Sequence, residues 1–262
     1  AGRPDGHSGR RPGRPRSRPS PGRSRPGPCC GPPRPPPRDR SAPGARRRRP
    51  FRYLENWKVG TAPLSQCKTL LICPTNMRKQ IDVLINREIK LAKAKKTASI
   101  IIKVNSLSDA HLIQKLHEAA LAGVEIKLIV RGIFCAKFEQ KKYKYPIKAI
   151  SIVDEYLEHA RVMIFHNNGN EKIYISSADW MVRNLDHRLE AAIPINNPSI
   201  KQEIKDIIHI QLSDNVKARI LDASLSNNYV PFTGKKKLRS QVETYLYLHN
   251  KTVKKQHEIS SN

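Results

Sequence analysis

Two stretches of the sequence collect side chains that suit chemistry on phosphate. Residues 157–165 read Leu-Glu-His-Ala-Arg-Val-Met-Ile-Phe, and the stretch from Ser176 to Glu190 adds hydroxyl, acidic and arginine side chains. An imidazole can move a proton or attack phosphorus near neutral pH, and arginines can hold the charge of phosphate oxygens. These two stretches therefore contain the candidate catalytic and binding residues.

His159 is the leading candidate among nine histidines. If a strand begins here, alternation puts His159 and Arg161 on one face, where two cationic groups call for an anion between them. The second stretch supplies four further candidates: Asp179, Arg183, Arg188 and Glu190. Two plainer interpretations stay open, an ion-paired structural histidine and a loop network of salt bridges formed by Arg183, Asp186 and Arg188.

Strand-like and helix-like runs alternate upstream of these residues. Apolar or β-branched runs predict strands at 68–73, 98–104 and 124–130. Apolar residues at helical spacing predict helices at 76–95 and 109–123. This βαβαβ succession predicts a largely parallel sheet with helices on its faces. Ligands of such sheets gather beyond the carboxyl ends of the strands, where Asn105 and Arg131 fall.

The downstream half predicts more strands and one clear helix. Strands are expected at 147–152, 162–165, 172–176 and 189–193. The Asn-Asn-Gly-Asn sequence at 167–170 indicates a hairpin turn. A short helical turn is expected at 154–158, a helix at 198–212, a basic loop at 232–239 and a strand-like apolar run at 242–248.

The first 50 residues differ sharply in composition from the rest. They hold 15 Arg and 14 Pro but no Leu, Ile, Val, Phe, Tyr, Trp or Lys. A segment without such apolar surface cannot offset the entropy of ordering, so we expect a disordered tail. The tail carries about half of the net charge of +27 and could bind polyanions non-specifically. Alternatively, residues 1–50 are an artefact of a junction or frame error, which detecting their peptides in the native protein would exclude.

Several classes of protein are excluded by the remaining patterns. No secretory signal is expected, since the tail has no apolar core, and no run approaches the ~18 apolar residues of a membrane span. The cysteines form no C-x-x-C pair: Cys29, Cys30, Cys67, Cys73 and Cys135. This usage favours a reducing cytosol with no metal or disulfide framework. We therefore predict a cytoplasmic protein, with a peripheral membrane complex as the alternative.

Four segments, taken together, resemble one known family. They are IIKVNSLSD at 101–109, AGVEIKLIVRGI at 122–133, SIVDEYLEH at 151–159 and SSADWMVRNLDHRLE at 176–190. In this order and spacing they are similar to the carboxyl-terminal region of polyphosphate kinases of the long, ATP-dependent bacterial type. The resemblance covers about residues 51–250 and implies a phospholipase D-like α/β fold. It divides the chain into a tail at 1–50, the end of a first catalytic domain at 51–75, a second C-terminal catalytic domain at 76–250 and a flexible terminus at 251–262.

The resemblance implies an ATP-polyphosphate phosphotransferase that works reversibly through a phosphohistidine. His159 matches a histidine that contacts the nucleotide phosphates and is a candidate general acid/base, and Arg131 matches an ATP-binding arginine. His159-Ala160-Arg161 resembles an H-x-K motif with Arg in place of Lys, and Glu190 matches the acid that orients the histidine. Asn105 and Asp179 are expected to support the site, with Arg161, Arg183 and Arg188 as secondary phosphate ligands.

The sequence also departs from the family pattern. The H-x-G-T-G-N-Y segment with the phosphorylated histidine is absent, as are the arginines implied in Mg²⁺ coordination. Ala-Lys-Phe-Glu-Gln-Lys-Lys-Tyr at 136–143 replaces the family's P-G-x-x-G-x-S-E-N loop. We therefore expect a fragment that is inactive alone.

The partners expected from the resemblance are ATP, ADP and polyphosphate, and a homo-oligomer of the full-length protein. The alternatives are a non-catalytic basic module that binds polyphosphate or nucleic acid, and a phosphodiesterase of the phospholipase D type.

Overall fold

The computed structural model describes residues 69–224, 226–234 and 236–260. The predicted tail at 1–50 lies outside these residues, as does most of the segment at 51–75. The first described elements alternate between strand and helix: β1 (Leu71–Cys73), α1 (Met77–Lys93), β2 (Ser99–Val104), α2 (Ala110–Leu121) and β3 (Glu125–Val130). Asp109 caps α2 by accepting a hydrogen bond from the Leu112 amide, and Gly123 follows that helix with a φ of +94°. The predicted βαβαβ succession is confirmed.

Five strands and three α-helices follow in the described downstream half. They are β4 (Lys148–Ile152), β5 (Arg161–Phe165), β6 (Lys172–Ser176), α3 (Val182–His187), β7 (Glu190–Ile195), α4 (Pro198–Leu212), β8 (Ala218–Ile220) and α5 (Ser240–Ser260). The predicted hairpin is confirmed, because β5 and β6 pair antiparallel around the turn at 167–170, in which Asn167, Asn168 and Gly169 have positive φ.

All eight strands form one mixed sheet in the order β1-β7-β6-β5-β2-β3-β4-β8. Of the strand pairs in the described residues, only β2–β3 and β3–β4 are parallel. The mixed α/β architecture is confirmed, whereas the expectation of a largely parallel sheet is wrong. The connection between β5 and β6 is too short for a parallel crossover, so these strands pair antiparallel. β7 also pairs antiparallel, with β6 and β1, and the three strands fill the space between β1 and β2.

The sheet separates two apolar cores. On one face, α1 and α2 bury Met77, Ile81, Ile85, Leu112 and Leu116 against the sheet. On the other face, α4 contributes Ile208 and Leu212, which pack on strand residues of β3, β4, β5 and β6. Residues of β2 alternate between these cores, which places Lys103 on the α4 side although its neighbours in the strand are apolar.

Two further predictions of secondary structure were wrong. The apolar run at 242–248 belongs to α5 rather than to the sheet, and the helix continues to Ser260. Its apolar residues recur at three- and four-residue spacing, which also suits a helix. The segment at 154–158 forms no helical turn. Among the described residues, no helix combines the length and the apolar character needed to span a membrane.

Candidate functional site at the ends of β2, β3 and β5

Asn105 and Arg131 meet at the carboxyl ends of neighbouring parallel strands, as the sequence predicts. The Asn105 side-chain oxygen accepts hydrogen bonds from Arg131 Nε, at 2.9 Å, and from Nη2. The Gly132 amide donates to the Asn105 carbonyl at 2.7 Å. A Cβ at position 132 would lie 3.0 Å from that carbonyl, so only glycine fits without displacement. The two strand ends are therefore fastened together around Arg131.

Asp179 connects this edge to the next strand. One of its carboxylate oxygens accepts from the amides of Asn105, at 2.8 Å, and Ser106, at 3.1 Å. Arg161 donates to both Asp179 oxygens, at 3.1 and 3.0 Å. Burial alone would raise the pKa of Asp179, but Arg161 and the two amides outweigh it and hold that pKa below its usual range. Asp179 is thus a carboxylate held in place by two backbone amides and paired with Arg161.

His159 lies against Arg161, although β5 begins only at Arg161 and His159 precedes the strand. Arg161 Nη1 donates to the His159 carbonyl at 3.0 Å. The guanidinium nitrogens also lie 3.1 and 3.2 Å from the imidazole nitrogens. Since a guanidinium offers only donors and an imidazole has at most one acceptor nitrogen, no more than one of these two contacts is a hydrogen bond. Within the fold, Asp179 supplies the carboxylate that pairs with Arg161.

Glu190 does not orient His159 in this structure. It accepts from Ser177 Oγ and, at 2.8 Å, from Asn184 Nδ2, and among the described residues it makes no bond with His159. Glu190 begins β7, two strands away from β5 in the sheet, which explains why the carboxylate does not reach the imidazole. The Ser177 hydroxyl is likewise directed to Glu190 rather than to the candidate site.

Arg183 and Arg188 do not join the network either. Both side chains are exposed on or beside α3 and have no ion-pair partner in the described part of the chain. The alternative salt-bridge network with Asp186 is also absent there, because Asp186 accepts two hydrogen bonds from Arg78, at 2.9 and 2.7 Å. These two arginines are available to an anion but are not held in position.

A second polar cluster lies on the α4 side of the sheet and was missed by sequence reasoning. Lys103 Nζ donates to Glu158 Oε2 and, at 2.8 Å, to Gln211 Oε1, while Gln211 Nε2 donates to Glu158 Oε2 at 2.7 Å. The signal that could have revealed this cluster is a lysine in the otherwise apolar second half of β2, at a position where an apolar residue is expected. Burial lowers the pKa of Lys103, although the Glu158 carboxylate opposes that change.

The donors of the site do not suit a metal ion. In the ranges that the structure describes, no group of three or more His, Cys, Asp or Glu side chains could hold one. Both Asp179 oxygens are already bonded to Arg161, one of them also to two amides, and Glu190 lies elsewhere. These residues do not provide the oxygen ligands that Mg²⁺ requires.

Comparison with known proteins identifies the family. The model of polyphosphate kinase C-terminal domain 2 matches residues 70–241, well over half of the chain. The chain belongs to the polyphosphate kinase family. It is 47% identical over 202 residues to the polyphosphate kinase of Vibrio parahaemolyticus and 42% identical over 202 residues to that of Escherichia coli. These alignments cover 76% and 77% of this chain, which spans less than a third, 28% and 29%, of those relatives.

A solved polyphosphate kinase has the same fold in this region. The crystal structure of the enzyme from Porphyromonas gingivalis is 42% identical, with a TM-score of 0.71, over 76% of this chain and 31% of that one. A phospholipase D family member, Nuc from Salmonella typhimurium, is similar over 58% of the chain at 14% identity and a TM-score of 0.42. The latter values are too low to say anything about chemistry.

Proposed function

We propose that this chain supplies one half of a polyphosphate kinase active site. The reaction transfers the terminal phosphoryl group of ATP to a histidine nitrogen, with release of ADP, and then to the terminal oxygen of polyphosphate, and it is reversible. The observation that carries the proposal is the continuous contact from Arg131 through Asn105, Asp179 and Arg161 to His159 at one edge of the sheet. Membership of the family supports it.

Arg131 is the proposed ligand of the ATP phosphates. Its Nε and Nη2 share the Asn105 oxygen, whereas Nη1 makes no hydrogen bond within the described residues. A guanidinium pinned on one side presents its remaining N–H groups in a fixed direction, which suits a phosphate oxygen. Arg131 would therefore bind negative charge without having to be reoriented.

His159 is the proposed general acid/base. The imidazole is exposed, and Arg161 holds the His159 carbonyl. A neutral imidazole can accept a proton from an attacking oxygen or share one with a leaving phosphate oxygen. Arg161 stands beside it as a further cation for phosphate charge.

The phosphorylated histidine of the family is proposed to come from outside this chain of 262 residues. The sequence does not contain the H-x-G-T-G-N-Y segment. Mg²⁺, if used, would be held by groups outside the described residues and by ATP. A cytoplasmic location and a homo-oligomeric full-length enzyme also stay proposals.

Binding and turnover of the purified chain test this function. We expect ATP to bind in calorimetry without any lengthening of polyphosphate, because the nucleophile is missing. Arg131→Ala is expected to weaken ATP binding by about tenfold, since a charge-assisted contact is lost. Arg87→Ala, which removes an exposed arginine of α1, is the matched control and should change little.

Two results would contradict the proposal. Robust chain extension would show that a nucleophile is present after all. Equal losses in Arg131→Ala and Arg87→Ala would show that binding is only electrostatic, as for a basic module.

A further inference from the structure

His159 lies in a segment that has no helix or strand of its own. The loop at 153–160 joins β4 to β5, and several of its side chains are exposed, including Tyr156 at 70% and Leu157 at 72%. Such a loop does not fix a side chain by itself. The position of His159 must therefore depend on contacts between this loop and the rest of the fold.

Two side chains at the start of α5 hold the first part of the loop. Arg239 donates to both oxygens of Asp154 at 2.8 Å and to Glu155 at 3.0 Å. Gln241 accepts from the Tyr156 amide at 3.0 Å and donates to the Tyr156 carbonyl at 2.7 Å. These hydrogen bonds attach the first part of the loop to the residues at the beginning of α5.

Glu158, directly before His159, is held by hydrogen bonds from three side chains. Glu158 accepts from Lys103, from Gln211 at 2.7 Å and from Gln241 at 3.3 Å. We call these three side chains the Glu158 clamp. Because Glu158 and His159 are adjacent in the chain, a clamp on Glu158 restricts the backbone from which the His159 side chain reaches Arg161.

Stability alone does not account for a lysine at position 103. The Lys103 side chain is 8% exposed and faces the core formed with α4. Removing an ammonium group from water costs several kcal/mol, and exchanging a buried ion pair for apolar residues is often neutral or stabilising. A gain in stability is therefore not what an ion pair at this position offers.

We propose that Lys103 and Gln211 are positioning residues that act through Glu158 to direct His159 towards Arg161. This inference rests on the proposed function of His159. It assigns a role to a buried lysine whose own hydrogen bonds go to Glu158 and Gln211 rather than to His159.

Imidazole NMR of the unliganded chain tests the positioning role directly. The His159 ring signal is assigned with His159→Gln and then compared between the wild type and Lys103→Met. We expect the signal to move and broaden in Lys103→Met, because Glu158 loses its ammonium partner and the loop explores other conformations. Lys205→Met is the matched control, since it removes the 2.8 Å Lys205–Glu171 bond, away from His159, and should leave the signal in place.

Tripolyphosphate affinity provides the second measurement. Lys103→Met and Glu158→Gln should each weaken binding by about fivefold, and the double variant should be no weaker than the worse single one, because both changes disable one clamp. Fully additive losses would contradict the clamp. Gln211→Leu offers a further test if Lys103→Met fails to fold, and it should shift the His159 signal in the same way.

The two proposals fail in different ways. An unchanged His159 signal in folded Lys103→Met or Gln211→Leu overturns the positioning role. A wild-type chain that binds neither ATP nor tripolyphosphate overturns the proposed function, while the ring signal still decides the role of the clamp.

Discussion

Two buried aspartates each hold one arginine by two hydrogen bonds, yet only one of the two pairs lies at the candidate site. Arg78 donates to the two Asp109 oxygens at 2.8 Å each, and Arg161 donates to the two Asp179 oxygens at 3.1 and 3.0 Å. Both carboxylates also accept from backbone amides. The two ion pairs have the same chemistry.

The difference lies in what else each arginine contacts. Arg78 also donates to Asp186, so its guanidinium binds carboxylates on two sides and joins α1, the cap of α2, and α3. Arg161 instead faces His159, an exposed imidazole. The two pairs therefore differ in their surroundings: Arg78 contacts a second carboxylate, whereas Arg161 contacts an exposed imidazole.

Arg78→Met should show the largest effect on stability. Methionine keeps the apolar stem but leaves the buried Asp109 without its cation, and breaking such a pair costs about 3 kcal/mol. Urea unfolding measures this loss. ATP affinity of the folded variant should equal that of the wild type, and a parallel loss of affinity would remove the distinction between the two pairs.

Arg161→Met should instead reduce ligand affinity more than it reduces stability. We expect about tenfold weaker binding of tripolyphosphate, because a cation beside His159 is lost. Its cost in stability should be smaller than that of Arg78→Met, since Asp179 keeps two amide donors and Asp109 only one. Calorimetry and urea unfolding of both variants under the same conditions check this, and unchanged affinity would place Arg161 among the structural arginines.

Acid should weaken both pairs alike. Burial would raise the pKa of Asp109, but Arg78 and the Leu112 amide outweigh it, so this pKa is lowered, as is that of Asp179. A lowered pKa adds stability above the unfolded value near pH 4, and this stability is lost as the pH falls through the folded pKa. Asp109→Asn and Asp179→Asn should each flatten the acid side of the stability profile. A profile as steep as that of the wild type would contradict the lowered pKa values.

Arg183→Ala and Arg188→Ala should have the smallest effects. Neither arginine has an ion-pair partner among the described residues, so each contributes about twofold or less to tripolyphosphate affinity, and that part should vanish with added salt. A tenfold loss in either variant would show that α3 moves towards His159 when phosphate binds.

The sequence predicted which residues lie at the edge of the sheet better than it predicted the order of the strands and the long-range contacts. Asn105 and Arg131 follow apolar strands, so strand ends alone bring them together, whereas His159 reaches Arg161 from the loop that precedes β5. The structure does not show the predicted contact of Glu190 with His159 or a mostly parallel sheet. Both predictions depended on the order of the strands, which is set by long-range pairing that local patterns do not contain. Lys103 escaped notice because its partners Glu158 and Gln211 lie 55 and 108 residues away.

The antiparallel docking of β5 beside β2 has a consequence for folding. Arg131 and Asn105 are 26 residues apart, whereas Asp179 lies 74 residues beyond Asn105. Closing a longer loop costs more entropy, by about 0.6 kcal/mol per doubling, and distant contacts slow folding. We expect the β2–α2–β3 unit to form first, so a partly folded chain would present Arg131 to anions before His159 has arrived.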